Sequence, residues 1–390
     1  MPTYNLRSTI LNRTLSRRDF LKLAGLGLGG LALRPWQRLS ASYVPLQVPS
    51  LPEFPKADRL GRVVCLAGIG CNIEVRSRPD PDSPVVKLLS EDTVLPWLHE
   101  RTGDKPALNF TNQRWVETPE GYIYGPYFQP VANRPNSPLK ELPQSSMGPG
   151  MWVEVSVPYV DISLENNPSS NSWVKVRMDE DLPLRLYYSQ IFWVDQLRTD
   201  DQGKVFYRVN PNYYGGVDTL WGAAEAFRPL TADDLAPIRP EAADKRIEVD
   251  VTHQKLSCYE GSSEMYYCRV STGAKFNMQG QVVDKWATPV GEHRVSRKFV
   301  SLQMSGGTTG AGYDLPGIGW TTIFATGGVA IHSTFWHNTY GDPVSHGCVN
   351  VAPADAQWIF RWTQPNVQAD PGMLDVALTG QNSTKVLVSE

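Results

Sequence analysis

Val344-Ser345-His346-Gly347-Cys348-Val349-Asn350 sets a cysteine beside a histidine and a glycine, and His332 lies one loop upstream. A thiol is a useful nucleophile only as thiolate, so it needs a nearby base or cation to lower its pKa. His346 precedes the cysteine by two residues; on an extended segment it shares a face with the thiol but has little freedom to swing onto the sulfur. His332 arrives from a separate strand and is the better general base. Gly347 lacks a Cβ, so substrate can approach the backbone there, and its N–H with that of Cys348 would make an oxyanion hole, usually the largest single contribution in acyl transfer. Two other readings compete. A free cysteine is often only a small buried hydrophobe. His332, His337, His346 and Cys348 could instead ligate zinc, but their gaps match no usual zinc spacing and a zinc-bound thiolate is a blunted nucleophile, so no metal is expected.

The run Ala330-Ile331-His332-Ser333-Thr334-Phe335-Trp336-His337-Asn338, then Gly341 and Ser345-His346-Gly347-Cys348-Val349-Asn350, resembles the signature of the bacterial L,D-transpeptidase catalytic domain. The resemblance implies Cys348 as nucleophile, His332 as base and the main-chain carbonyl of Ser333 as the group that orients the imidazole, with His346 and Gly347 completing the catalytic set. Ser333 stands where glycine is commoner in the family, and Asn350 where many members have arginine. By the same resemblance Tyr313, Trp320, Trp336, His337, Ser345 and Asn350 are expected to bind substrate. The implied reaction is acyl transfer on peptidoglycan stem peptides. Cys348 would attack the L-to-D bond of a donor tetrapeptide, D-alanine would leave, and an amine of a second stem would resolve the thioester, with no cofactor. A carbapenem is expected to acylate the same thiol. With water as acceptor the protein would be an L,D-carboxypeptidase; a non-catalytic wall-binding protein is the reading from a different class, opposed by the intact motif.

The 390 residues exceed one ordinary core, so two or three domains are expected. A net charge of −3 and no basic run exclude a nucleic-acid partner. With 31 prolines and 32 glycines, the chain favours short strands and turns over long helices. The fold class expected is mainly β: small barrel-like modules followed by a β-sandwich-like catalytic domain. Cys65 and Cys71, like Cys258 and Cys268, flank glycine-containing turns, so each pair is either a disulfide or two buried thiols. Cys348 is the odd one out.

Along the chain, Ser16-Arg17-Arg18-Asp19-Phe20-Leu21-Lys22 precedes an apolar, glycine-rich run and resembles a twin-arginine export signal within residues 1–42. It implies export by the twin-arginine translocase to an extracytoplasmic location, cell wall or periplasm, with membrane anchoring left open should the signal stay uncleaved. A proline-rich linker (43–61) leads to a module at 62–131 that resembles a bacterial Src-homology-three-like barrel. A second linker (132–150) precedes a second β module (151–235). Its Trp221-Gly222 and Phe227-Arg228-Pro229-Leu230 echo Tyr124-Gly125 and Phe128-Gln129-Pro130-Val131, as in a diverged repeat. After a third linker (236–245) comes the catalytic domain (246–390). Its Val270-Ser271-Thr272-Gly273 and Thr288-Pro289-Val290-Gly291 resemble two further landmarks of the family. Glycines at 306–312 would let a loop beside the cleft move as a lid. Pro353 at a first turn and Pro365 beyond predict a helix over Ala354 to Trp362. The upstream modules are expected to position or tether the catalytic domain. The oligomeric state is not legible.

Overall fold

The computed structural model describes residues 47–65, 70–105, 111–146, 148–166, 168–169, 171–210, 218–274, 286–306 and 313–390. The export segment and the glycines at 307–312 lie outside them. The architecture is mainly β, built from several sheets.

In the first module, a five-stranded sheet (order Val85–Ser90, Asn72–Arg76, Gly121–Tyr124, Arg114–Thr118, His99–Thr102) and a three-stranded one (Val94–Pro96, Leu60–Val63, Phe128–Val131) close on a core of Val63, Val75, Trp97, Val116, Ile123 and Phe128. Trp115 is buried and Tyr127 packs on Tyr124, so neither offers an open stacking platform. Cys65 and Cys71 form a disulfide.

The second module is a seven-stranded sheet. The all-β expectation needs a correction here, because Ser172–Asp179 is an α-helix with Trp173 and Val174 buried. The two modules share a local succession in which a strand enters a 3-10 turn (Gly125–Tyr127, Ala224–Ala226) and leaves as another strand at Phe128 or Phe227. Tyr187, Phe192 and Trp193 of the second module are core residues.

The C-terminal region has two five-stranded sheets. One runs Ser263–Arg269, Lys255–Glu260, Lys245–Asp250, Lys385–Ser389, Gly291–Arg294; the other runs Val349–Val351, Ala330–Ser333, Tyr313–Ile323, Arg297–Gly306, Met373–Asp375. Alternation along Lys245–Asp250 buries Ile247 and Val249, which share one core with Val386 and Val388 of the first sheet and Val300, Ile331, Val349 and Val351 of the second. Helix Pro353–Trp362 starts on its proline and contributes Ala356, Ile359, Phe360 and Trp362 to that core. Its end and the chain leaving it are held from inside: Lys298 Nζ donates to the carbonyls of Phe360 (2.6 Å), Thr363 (2.8 Å) and Pro365 (2.9 Å). Complete burial holds that amine well below the usual lysine range.

Of the two readings open for Cys258 and Cys268, the structure takes the buried thiols. The hairpin of Cys258 and Cys268 forms, but its register sets Cys258 against Tyr266 and Cys268 against Leu256, and both thiols are free and buried. The linker at 236–245 marks no gap in packing. Trp152, Ile191 and Trp193 of the second module belong to the same core as the two C-terminal sheets, with Trp152 Nε1 donating to the Ala369 carbonyl (2.8 Å).

Candidate active site around Cys348

Strands Ala330–Ser333 and Val349–Val351 run parallel, with Ile331 beside Val349 and His332 beside Asn350. Continuing that register places Cys348 beside Ala330, and side chains two apart share a face, so His332 and Cys348 lie on the same face of neighbouring strands. The Ala330 backbone lies close enough to the sulfur to favour its thiolate form. His332 is buried, and its Nδ1 lies 2.9 Å from the Ser333 carbonyl. A carbonyl only accepts, so Nδ1 carries the proton and Nε2 keeps its lone pair. Trp336, half-buried, stacks over the imidazole with centroids 5.9 Å apart.

Burial pushes the Cys348 thiol up, against the smaller opposing effect of the Ala330 backbone. Burial also pushes His332 down to about 4, the Ser333 hydrogen bond opposing it only in part. A raised thiol beside a depressed imidazole rests as a neutral pair, so the site has the form of a general base beside a thiol, not of a standing thiolate.

The turn carrying the thiol is clamped by its own domain. Ser345 Oγ donates to the Cys348 carbonyl (2.5 Å) and accepts from the Gly347 N–H (3.1 Å). Gly347 has φ +118°, a conformation that glycine alone adopts readily. Thr288 Oγ1 donates to the Gly347 carbonyl (2.9 Å) and accepts from the Gly273 N–H (2.9 Å). A Cβ on Gly273 would stand 1.8 Å from the Trp286 carbonyl, so only glycine permits this approach. Ser271 exchanges backbone hydrogen bonds with Asn350 and reaches the Asp342 carbonyl through its hydroxyl.

Several expected substrate contacts are placed differently. Trp320 is 2% exposed and packs edge-on to Phe360, inside the core and not in a cleft. Ser345 is buried and braces the turn, and with Gly347 N–H committed to it, that N–H is not open to an oxyanion. His337 and Asn350 are buried with one another, Nε2 of the ring 2.9 Å from the Asn350 amide. The Thr339 N–H donates to His337 Nδ1 (3.1 Å), so a neutral ring carries its proton on Nε2, and the Asn350 amide, placed with Nδ2 toward that atom, satisfies it when turned to present the oxygen that otherwise has no partner. Burial, then the neighbouring His332, pushes His337 down to about 3. Tyr313 and His346 lie beside the thiol turn: His346 is exposed, its ring 5.3 Å from Tyr313 and 4.4 Å from Trp286. Burial and the nearby Cys348 both push the Tyr313 hydroxyl up. Among the described residues no group of three or more His, Cys, Asp or Glu side chains converges as metal ligands.

Thr288 and Gly273 were visible in the sequence as landmarks, but not as the clamp on Gly347. Nothing in the sequence pointed to Arg62 and Gln129, polar residues of the first module that grip the loop after His332. Arg62 donates to the Phe335 carbonyl (2.5 Å), and Gln129 Nε2 to the Thr334 carbonyl (2.9 Å).

Residues 244–387 match the sequence profile of YkuD, the L,D-transpeptidase catalytic domain. No curated protein sequence matches the chain. Among solved structures, a mutant L,D-transpeptidase of Enterococcus faecium aligns at 23% identity over 38% of this chain and 51% of that one, TM-score 0.28. An L,D-transpeptidase from Mycobacterium smegmatis aligns at 18% identity over 50% of this chain and 82% of that one, TM-score 0.29. One from Xylanimonas cellulosilytica aligns at 22% identity over 38% and 61%, TM-score 0.24. The chain spans about half the length of the first of the solved structures it matches.

Proposed function

We propose that the protein is a peptidoglycan L,D-transpeptidase with Cys348 as nucleophile and His332 as base. One observation carries the reading: within the region that matches the catalytic-domain profile, His332 has Nδ1 committed to the Ser333 carbonyl and shares a sheet face with Cys348, leaving Nε2 as the base. The thiol proton passes to Nε2 as sulfur attacks the donor carbonyl. The Cys348 N–H is the backbone donor assigned to the oxyanion, and the C–N bond to D-alanine breaks as the imidazolium returns the proton to that amine. An acceptor amine then gives its proton to His332, attacks the thioester and frees the thiol. Two half-reactions on one sulfur give ping-pong kinetics. The neutral resting pair supports this order, because proton and sulfur leave together only when a carbonyl is in place. The partners assigned are stem peptides and, during export, the twin-arginine translocase, with an extracytoplasmic site of action.

Pure protein incubated with disaccharide tetrapeptide fragments, analysed by mass spectrometry, is expected to yield a dimer equal to two units less one alanine. Tripeptide plus free alanine alone would make it an L,D-carboxypeptidase; unchanged substrate in every preparation would overturn the enzymatic reading. Export is tested by changing Arg17 and Arg18 together to Lys, expected to strand the protein in the cytoplasm.

A further inference from the structure

We infer that the first module positions the catalytic base: Gln129 and Arg62 hold the chain just beyond His332, so that residues outside the catalytic domain set where its imidazole sits. The inference rests on the proposed role of His332.

Loop 334–342 joins the base to the thiol turn. Its first two carbonyls, Thr334 and Phe335, accept from Gln129 Nε2 (2.9 Å) and Arg62 (2.5 Å). Both side chains are buried and tied together, Arg62 donating to Gln129 Oε1 (2.9 Å) and to Asp92 (2.6 Å). Further along, Asn338 Nδ2 donates to the carbonyls of Gly125 (3.1 Å) and Phe128 (3.0 Å). The Asp342 carboxylate accepts the N–H groups of Thr111 (2.6 Å) and Asn112 (3.1 Å). Asp92, at φ +66°, is also held by Arg185 (2.8 Å) of the second module. Backbone held in a sparsely populated conformation persists only where its surroundings determine it.

Ser333, whose carbonyl orients His332, immediately precedes the gripped pair. Freeing the Thr334 and Phe335 carbonyls lets the Ser333 peptide rotate, and the imidazole loses its fixed partner. This makes Gln129 and Arg62 positioning residues, since neither touches Cys348.

The test uses the full chain with two substitutions. Gln129→Met removes the grip with an apolar side chain of similar length; Gln129→Glu keeps a partner for Arg62 and removes only the donor to Thr334. Cys348 acylation by imipenem, followed by intact mass, is expected to slow about tenfold in either variant, since misplacement of a catalytic group by an ångström can cost up to a hundredfold. In a His332→Ala background the same substitutions should change the rate less than twofold. An equal factor in both backgrounds, or none in the wild type, would overturn the inference. Nitrogen NMR of the His332 ring, assigned with His332→Ala, supplies a readout independent of turnover. The variants should lose the fixed Nδ1–H tautomer; a retained tautomer would overturn the inference. Failure of the unsubstituted protein to acylate would count against the proposed function, with the NMR still deciding the positioning role.

Discussion

His332 lies in one strand and Cys348 in the turn that opens its parallel neighbour, yet what fixes each comes from a different part of the chain. The thiol turn is held by its own domain: Ser345 closes it, Thr288 joins it to Gly273, and Ser271 ties its far strand. The base side leans outward, its following carbonyls gripped by Arg62 and Gln129 and its Phe335 ring stacked on Tyr187 of the second module (5.6 Å). The contacts around the proposed nucleophile are therefore local, while those on the chain beyond the proposed base come from all three regions.

The largest effect tests the outward attachment. Arg62 and Asp92 are a buried ion pair, and removing one partner of such a pair costs about 3–5 kcal/mol. Denaturant unfolding of Arg62→Ala should show a loss of that size, since the substitution strips the buried Asp92 and the Phe335 carbonyl of a partner; a loss under about 1 kcal/mol would contradict a buried pair. Next, His332→Ala should slow Cys348 acylation by about a hundredfold or more, the contribution of a positioned general base. Thr288→Val tests the local clamp. It leaves the Gly273 N–H and the Gly347 carbonyl unpaired, at about 1–3 kcal/mol. Unlike the Gln129 variants, it should slow acylation by a similar factor whether or not His332 is present. His346→Ala should be the mildest, because that ring is exposed among Tyr313 and Trp286. A loss equal to that of His332→Ala would exchange the two assignments.

Acid adds a further check. Both buried histidines bind protons less readily folded than unfolded, so stability is full above about pH 6.5 and falls as pH drops toward about 4 for His332 and about 3 for His337. Melting temperature should fall through that window, and less steeply in His337→Asn.

Much of the catalytic region was legible because its signals are local. The Ser345–Asn350 motif, the alternation of Lys245–Asp250 and the proline-started helix each sit within a few consecutive residues. What escaped depends on tertiary contact. Trp320 looks like a cleft aromatic beside a glycine-rich loop, but the strand it occupies turns it onto Phe360. Ser345 and Asn350 are expected as substrate contacts from the family resemblance; both are spent within the fold. Helix Ser172–Asp179 has no strong amphipathic stripe, only Trp173 and Val174 being buried. The grip of Arg62 spans 273 positions in sequence, which no local pattern carries.

The most direct measurement is intact-mass spectrometry of the wild-type protein and Cys348→Ala after exposure to imipenem at neutral pH, with peptide mapping and parallel turnover of tetrapeptide fragments. The account predicts one covalent adduct, on the peptide holding Ser345 to Asn350, and neither adduct nor turnover in Cys348→Ala. An adduct on another residue, or product formed by Cys348→Ala, would contradict it.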